Sequence, residues 1–211
     1  MHKAHVYLFD DMDSLGSTFV ADNIHRLPKF RQQQCAKYKQ EIDKKTCVMA
    51  FLLLQEGLKQ QFGVLAPPIF IYNQHGKPYL RETPQIFFSL SHCKYGVACA
   101  ISHAEIGIDI QDVRPLDIRI AQKICSEKEL AQVEASSNPD RMLCQVWTKK
   151  EAYAKAKGIG VASMLAQDTP SKYYKTWETS QYSMAAYSHQ EYEANVCQGF
   201  KPPNTAHGNE S

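Results

Sequence analysis

The sequence predicts an α+β protein built from two similar halves, each with a small antiparallel sheet packed on a long helix. Two stretches, residues 40–62 and 140–157, are predicted as long helices; the first carries apolar residues at helical spacing, and both end at glycines. Residues 85–102 and 172–190 hold alternating apolar segments that are typical of antiparallel hairpins. The segments "FFSLSH" and "MAAYSH" both end in Ser-His, which is a weak internal similarity between the halves.

The first half opens with a predicted strand at residues 3–9. Pro28 predicts the start of a helix, because proline is favoured in the first helical turn. Gly63 suits the end of the long helix. After Pro67-Pro68 we predict a strand (69–72), a turn leading to the next strand (73–80) and the two strands of a hairpin (85–92 and 95–102).

The second half begins near Ile106 with the strand "IGIDIQDV". Residues 117–135 are predicted as one helical region, with Ser126 as a cap before an acidic turn. We place the first half at residues 1–104 and the second at 105–197, and we expect a disordered tail at 198–211, which is rich in proline, glycine and asparagine.

Composition excludes several classes of protein. The 211 residues carry a net charge of +2, which gives no global attraction to nucleic acid or acidic membranes. The longest apolar run, Val48 to Leu54, is far too short to span a bilayer, and the N-terminus turns acidic before a signal-peptide core could form. The seven cysteines show neither CxxC pairs nor zinc-ligand spacing, so we expect reduced thiols and a cytoplasmic protein.

Asp109 is the first candidate for chemistry. Strand alternation places it on the face opposite Ile108 and Ile110, together with Gln111. Such a pattern is more commonly a polar residue on the solvent face of a half-buried strand.

Glu151 and Lys155 are the second candidate, in the segment "VWTKKEAYAKAKGIG". They are spaced i, i+4 on a helix, which by itself favours a surface ion pair. Trp147 lies one turn before Glu151, so the carboxylate can instead be partly buried. A lone carboxylate on each of two apolar elements, with lysines close by, indicates a divalent cation and a phosphate-bearing substrate.

His92 ends a predicted strand, where a histidine is more often only a satisfied polar residue. Its neighbour Cys93 points to the opposite strand face, which makes a Cys–His nucleophile geometrically poor. The turn "GKP" at residues 76–78 and the basic stretch from Lys29 to Lys45 are accounted for by ordinary turn chemistry and by a solvated helix face. Either could also contact a polyanionic ligand.

In order along the chain, "GKP", "FSLSH", "IGIDI" and "WTKKEAYAK" resemble the motifs of the 4′-phosphopantetheinyl transferases, specifically the surfactin-type, single-chain branch with two halves. The resemblance spans roughly residues 70–160, and its most specific part is the last two motifs at their spacing of about 38 residues. It implies transfer of 4′-phosphopantetheine from coenzyme A to a serine of an apo acyl, peptidyl or aryl carrier protein, with adenosine 3′,5′-bisphosphate as the other product. The pathways implied are fatty acid, polyketide, siderophore and peptide synthesis, and the branch implies a monomer. From the near-neutral net charge and the short apolar runs we expect neither nucleic acid nor membrane as a partner.

The resemblance also implies residue roles. Asp109 and Glu151 would hold Mg²⁺, Glu151 would be the base for the carrier serine, and Lys155 would neutralise the pyrophosphate. Coenzyme A would be contacted by His92 and Lys45 at its 3′-phosphate, helped by Lys29 or Arg31, and bordered by Lys77, Pro78 and Ser91. Many relatives carry a third acid where this chain has Gln111, whose amide oxygen can be a weak ligand or hold a metal-bound water but adds no charge. We therefore expect weaker Mg²⁺ binding than at a site with three carboxylates.

The sequence also fits three kinds of protein that are not transferases: a non-catalytic relative that binds coenzyme A or a carrier, a Mg²⁺-dependent phosphohydrolase, and a structural domain with chance motifs. Turnover with an apo carrier separates the first from a transferase, and carrier-independent release of adenosine bisphosphate identifies the second.

Overall fold

The structure is a computed structural model that describes residues 2–197 and 199–202. Most of the predicted tail at 198–211 lies outside the described residues. The helices are α1 Phe19–Asn23, α2 Lys29–Ala36, α3 Glu41–Phe62, α4 Ile118–Ile124, α5 Glu127–Ala135 and α6 Pro139–Lys157. The strands are β1 His2–Phe9, β2 Phe70–Tyr72, β3 Pro78–Leu80, β4 Phe87–His92, β5 Val97–Ser102, β6 Ile106–Asp112, β7 Tyr174–Glu178, β8 Tyr182–Ser188 and β9 Tyr192–Cys197.

The strands form two main sheets, each covered by one long helix, which confirms the predicted α+β class. The first sheet has the order β4-β5-β1-β9 and the second the order β6-β8-β7, while β2 and β3 form a separate ribbon. Helix α3 packs on the first sheet and α6 on the second. Both long helices end in left-handed glycines, Gly63 and Gly158, as the sequence predicted.

Three apolar layers hold these elements together. Phe51 and Leu54 of α3 pack on Tyr7 and Ile101 of the first sheet. The opposite face of that sheet packs against the second sheet through side chains that include Val6, Ala100, Ile108 and Met184. Small residues line the third layer, between α6 and the second sheet: Ala152, Ala156 and Ala185, with Tyr187. Two aliphatic faces pressed together make the boundary between the halves a continuous core.

Strand β9 extends the sheet of the first half, although the sequence pattern predicts no strand there. It pairs in parallel with β1, with His2 opposite Tyr192 and Tyr7 opposite Cys197. The remaining pairs in both sheets are antiparallel, including the two predicted hairpins β4–β5 and β7–β8. The chain therefore returns from the second sheet to complete the first.

The prediction of one helical region over residues 117–135 was wrong in its continuity. The region is two helices, α4 and α5, separated at Cys125 and Ser126. The Ser126 side chain accepts from the Glu129 backbone N–H, and the Glu129 carboxylate accepts from the Ser126 N–H, which is a capping box. The predicted cap is confirmed, and it starts a new helix rather than stabilising an existing one.

A buried ion pair ties α5 to α6. The Lys150 ammonium is fully buried and lies 2.8 Å from a carboxylate oxygen of Glu129. It also donates to the backbone carbonyls of Met164 and Gln167. Burial alone would raise the pKa of Glu129, but hydrogen bonds from Lys150, Thr169 and Ser126 outweigh it and lower that pKa. This ion pair is structural and does not include Glu151, which directly follows Lys150 in the sequence.

We expect Lys150→Met to lower the free energy of unfolding by about 3–5 kcal/mol, because it leaves the Glu129 carboxylate buried without its cation. Urea unfolding followed by circular dichroism measures the change. The matched control is Lys128→Met, which removes an exposed lysine of α5 and should change stability by less than about 0.5 kcal/mol. Equal stability of both variants would contradict a stabilising role for the ion pair.

No helix within residues 2–197 and 199–202 is long and apolar enough to cross a membrane. All seven cysteines lie in this part of the chain and are free thiols.

Candidate functional site

Several of the predicted site residues meet where the two sheets adjoin, near the C-terminal end of β4. Strand β6 runs beside β4, and two serine hydroxyls bridge them. Ser89 accepts from the backbone N–H of Ile108 at 3.0 Å, and Ser91 accepts from that of Ile110 at 3.3 Å. These contacts bring Asp109, which lies between the two isoleucines, to the end of β4, where its carboxylate meets the Ser91 hydroxyl.

Asp109 is buried, with 5% of its surface exposed, so the expectation of a solvent-facing residue is wrong for this strand. Its Oδ1 accepts from the Ser91 hydroxyl at 2.7 Å and pairs with the Lys155 ammonium at 2.6 Å. Its Oδ2 is also buried and has no hydrogen-bond partner among the described residues. A buried carboxylate oxygen without a partner is costly, and a bound cation would remove that cost.

Glu151 lies on α6, half-buried beside the same carboxylate. Burial raises the pKa of Glu151, the nearby Lys155 lowers it, and the negative charge of Asp109 raises it. The carboxyl group forms no hydrogen bond with the residues that the structure describes. A second carboxylate in this position favours either a proton or a cation between itself and Asp109.

Lys155 connects the two strands and the helix. Its ammonium donates to the Ser91 hydroxyl at 3.0 Å and to Asp109. Across the described residues it forms its ion pair with Asp109 and none with Glu151, so the predicted i, i+4 surface pair is wrong. The side chain remains 31% exposed, which leaves its charge accessible from solvent.

Gly107 explains how α6 comes so close to β6. A Cβ at this position would lie 2.0 Å from the carbonyl oxygen of Ala152 and 2.4 Å from the amide nitrogen of Ala156. The helix backbone therefore occupies the space of a side chain. This close approach carries Glu151 and Lys155 to the strand residue Asp109.

His92 lies at the end of β4 and is exposed. The protein atoms around its ring lower its pKa by desolvation, and Lys155 and Arg31 lower it further, against the opposing effects of Asp43 and Asp109. Arg31, from α2, thus belongs to the surroundings of His92. Its Nε is buried without a partner in the described part of the chain, while Nη1 donates to Gln34 at 2.8 Å.

Cys93 points away from His92, as strand alternation predicted. It is buried in the layer between the sheets, and burial raises the pKa of its thiol to about 12. A thiol with this pKa is protonated at neutral pH and is no nucleophile.

Lys77 reaches the other half of the molecule. Its ammonium donates to the Ala156 carbonyl of α6 at 2.5 Å, and burial lowers its pKa to about 8. Pro78 starts β3, opposite Tyr72 of β2. Lys45, predicted near the same ligand, donates instead to the Leu15 carbonyl at 2.6 Å, and Lys29 is exposed at the start of α2.

Gln111 follows Asp109 on the same strand face and is half-buried. The Asp112 carboxylate has other partners: it accepts from the Lys94 backbone N–H at 3.0 Å and pairs with Arg114 at 3.4 Å. Among the described residues, no group of three or more histidine, cysteine or acidic side chains could hold a metal. The acidic site is therefore the pair Asp109 and Glu151.

Two site features were missed in the sequence. The Ser91 hydroxyl orients Asp109, and the alternation of Ser89 and Ser91 on one strand face was the available signal. Asn73, in the turn before Lys77, donates to the Gly158 carbonyl at 2.8 Å, and no pattern in the sequence predicts that contact.

Comparison with known proteins relates the chain to one family. The 4′-phosphopantetheinyl transferase superfamily matches residues 105–198, which include Asp109, Glu151 and Lys155. The chain is 31% identical over 155 residues to the 4′-phosphopantetheinyl transferase gsp of Aneurinibacillus migulanus, covering 72% of this chain and 63% of that protein. It is 24% identical over 135 residues to the 4′-phosphopantetheinyl transferase Sfp of Bacillus subtilis (strain 168), covering 63% and 60%.

A shorter match, 32% identical over 108 residues, joins 48% of this chain to 56% of the 4′-phosphopantetheinyl transferase AcpT of Salmonella typhi. The chain thus spans 56 to 63% of the length of these three curated relatives. The chain belongs to the 4′-phosphopantetheinyl transferase superfamily, and its similarity to gsp and Sfp supports the surfactin-type branch.

Proposed function

We propose that the protein transfers the 4′-phosphopantetheine group of coenzyme A to a serine of an apo carrier protein and releases adenosine 3′,5′-bisphosphate. The observation that carries the proposal is the close approach of Asp109, Glu151 and Lys155, which come from two separate elements. The names of the relatives gsp and Sfp support the same reaction. The two halves, 1–104 and 105–197, would each contribute to the coenzyme A site.

Asp109 and Glu151 would hold Mg²⁺, with Gln111 as a weak third partner. The unpartnered Oδ2 of Asp109 and the repulsion between the two carboxylates are the features that a cation fits. Mg²⁺ is typically bound by one or two carboxylates together with substrate phosphates, which suits a site with two acids. When bound, the ion would neutralise charge on the pyrophosphate.

The reaction requires a base for the serine hydroxyl and cations for the negative charge on the phosphates. Glu151 would take the proton from the carrier serine, directly or through water, as its hydroxyl oxygen bonds to the phosphorus that carries pantetheine. The bond from that phosphorus to the bridging oxygen breaks, and the electron pair leaves with adenosine 3′,5′-bisphosphate. Lys155, held by Ser91 and Asp109, would stabilise the charge that collects on the leaving phosphate.

The rest of coenzyme A would lie along the first half. His92 is exposed at the end of β4, and the nearby Arg31 supports a 3′-phosphate site there. Lys77, Pro78 and Ser91 would border the adenine and phosphates. Lys45 would assist only if it exchanged its hydrogen bond to Leu15 for the phosphate. We expect the enzyme to act as a cytoplasmic monomer, in fatty acid, polyketide or peptide synthesis.

The proposal is tested by measuring adenosine 3′,5′-bisphosphate chromatographically with and without apo carriers, in the presence of coenzyme A and Mg²⁺. Release that requires the carrier supports a transferase. Release without any carrier would instead identify a phosphohydrolase. No release on a panel of carriers, with coenzyme A still bound, would identify a non-catalytic relative.

We expect Gln111→Glu to lower the Mg²⁺ concentration that gives half the maximal rate, because a third negative charge beside Asp109 and Glu151 strengthens cation binding. The measurement is a Mg²⁺ titration of the initial rate at saturating coenzyme A. The matched control, Gln132→Glu, adds the same charge on the exposed surface of α5. A variant that needs as much Mg²⁺ as the parent would show that position 111 does not face the ion.

In metal-free protein, we expect the pKa of Glu151 to lie above the ordinary range of glutamate, because burial opposes its ionisation. Lys155→Met should raise this pKa further, since Lys155 lowers it. Added Mg²⁺ and coenzyme A should lower it. Carboxyl ¹³C chemical shifts followed over pH measure all three values, with exposed Glu134 as the internal reference. A Glu151 pKa that stays the same when Mg²⁺ is added would contradict the role of Glu151 as a metal ligand.

A further inference from the structure

We propose that Asn73 is a positioning residue, whose side chain fixes the C-terminal end of α6 and thereby the placement of Glu151 and Lys155 relative to Asp109. Its expected effect on turnover rests on the proposed transferase function. The contact itself can be tested independently of that function.

The contact joins two distant parts of the chain. The Asn73 Nδ2 donates to the Gly158 carbonyl oxygen at 2.8 Å, across 85 positions of sequence. Gly158 ends α6 in the left-handed conformation, with φ of 65°. Carbonyls at a helix C-terminus lack partners within the helix, so an amide donor from another element satisfies one of them.

The other end of the same amide shapes the turn that carries it. The Asn73 Oδ1 accepts from the backbone N–H groups of His75 and Lys77, both at 2.9 Å. Asparagine commonly folds a turn in this way. One side chain therefore has two separable functions, with its oxygen holding the turn and its nitrogen holding the helix.

Lys77 strengthens the same junction. Its ammonium donates to the Ala156 carbonyl, where a positive charge is favourable at the negative end of the helix dipole. The packing is tight, since a Cβ on Gly158 would lie 2.8 Å from the Asn73 Nδ2 and 3.1 Å from Cδ of Lys77. The loop at residues 73–77 therefore holds the last turn of α6 in place by two hydrogen bonds and by direct packing.

These contacts matter because α6 carries the site residues Glu151 and Lys155. Lys155 lies in this last turn, and Glu151 lies one turn before it, about 6 Å away along the helix axis at 1.5 Å per residue. The positions of Lys155 and Glu151 depend on how α6 packs against β6. At Gly107 the backbones of the helix and the strand are in direct contact. A helix end released from the turn would move Lys155 away from Asp109 and Ser91.

The test replaces Asn73 by aspartate, which keeps the oxygen that holds the turn and removes the donor to Gly158. We expect amide hydrogen exchange in residues 154–159 to become about tenfold faster, the loss of one hydrogen bond, while amides of residues 75–77 keep the parent rate. Gln74→Glu, on the exposed neighbour, adds the same charge and serves as the control. If Asn73→Asp does not fold, Asn73→Ser takes its place, since its hydroxyl can accept in the turn but is too short to reach α6.

Turnover supplies the second measurement. In Asn73→Asp we expect kcat to fall about tenfold and the Mg²⁺ requirement to rise, because Glu151 is displaced, with KM for coenzyme A nearly unchanged. A smaller folded fraction would lower the rate without changing the Mg²⁺ requirement. Parent-like exchange in α6 would overturn the proposal, and so would a loosened helix with parent kinetics. A parent protein without transferase activity would overturn the proposed function, and the exchange rates would still decide whether Asn73 holds α6.

Discussion

Glu151→Gln is expected to lower kcat about a thousandfold, within the range for loss of a general base. The substitution keeps the size of the side chain but removes both the base for the serine hydroxyl and one of the two metal-binding charges. Coenzyme A should still bind, because its predicted contacts at His92, Lys77 and Pro78 are untouched. Rates are measured by transfer to an apo carrier at saturating Mg²⁺.

The same variant should be no less stable than the parent. Burial raises the pKa of Glu151, and so does Asp109, so the ionised carboxylate at neutral pH is held in unfavourable surroundings. A group with a raised pKa stabilises the fold at low pH and loses that contribution as pH rises through the folded-state value. Glutamine resembles the protonated form, so the free energy of unfolding at pH 7 should stay equal or rise.

The matched control is Glu134→Gln, which removes an exposed glutamate of α5. It should leave rate and stability unchanged. A Glu151→Gln variant that keeps more than a tenth of the parent kcat would contradict the assignment of the base. A variant that loses activity together with stability would instead indicate a structural role.

Gly107→Ala is expected to damage both stability and activity. The new Cβ would lie 2.0 Å from the Ala152 carbonyl oxygen, so the backbones of α6 and β6 have to separate. Inserting volume into a close-packed layer costs about 1–3 kcal/mol, and occasionally more. Because a displacement of about 1 Å between reacting groups can lower a rate a hundredfold, we expect kcat to fall at least that far.

Thermal unfolding and initial rates measure these two effects. Gly160→Ala is the matched control, since a Cβ there meets nothing within 4 Å and φ is −73°. It lies just beyond the same helix and should behave as the parent. Parent-like stability in Gly107→Ala would contradict the close approach of helix and strand. A stable variant with full activity would show that the approach does not position Glu151.

Local patterns predicted most of the elements, because each depended on periodicity or on a punctuating residue. Helix α3 is an example, with its apolar spacing and its terminal Gly63. Strand β9 was not predicted, because its partner β1 lies at the other end of the chain and pairing between distant segments leaves no local mark. The break between α4 and α5 was missed although the predicted cap Ser126 was its signal, because the backbone of an N-cap residue is not helical.

The candidate site was predicted in its members but not in its connections. Asp109 and Glu151 were singled out by type and neighbourhood, and their motifs resembled one family. Pattern alone could not show that Lys155 pairs across to Asp109, since the i, i+4 rule favours its helical neighbour. The close contact at Gly107 was equally hidden, because a glycine in a strand can mark a bulge, a bend or a close approach. Such contacts are decided by tertiary packing.

The most direct test of the transferase assignment is intact-mass spectrometry of apo carriers incubated with this protein, coenzyme A and Mg²⁺. We predict that at least one carrier gains the mass of one 4′-phosphopantetheine group, and that the gain disappears when Glu151→Gln replaces the parent. The contrary result is a panel of carriers that all keep their apo mass although the protein binds coenzyme A.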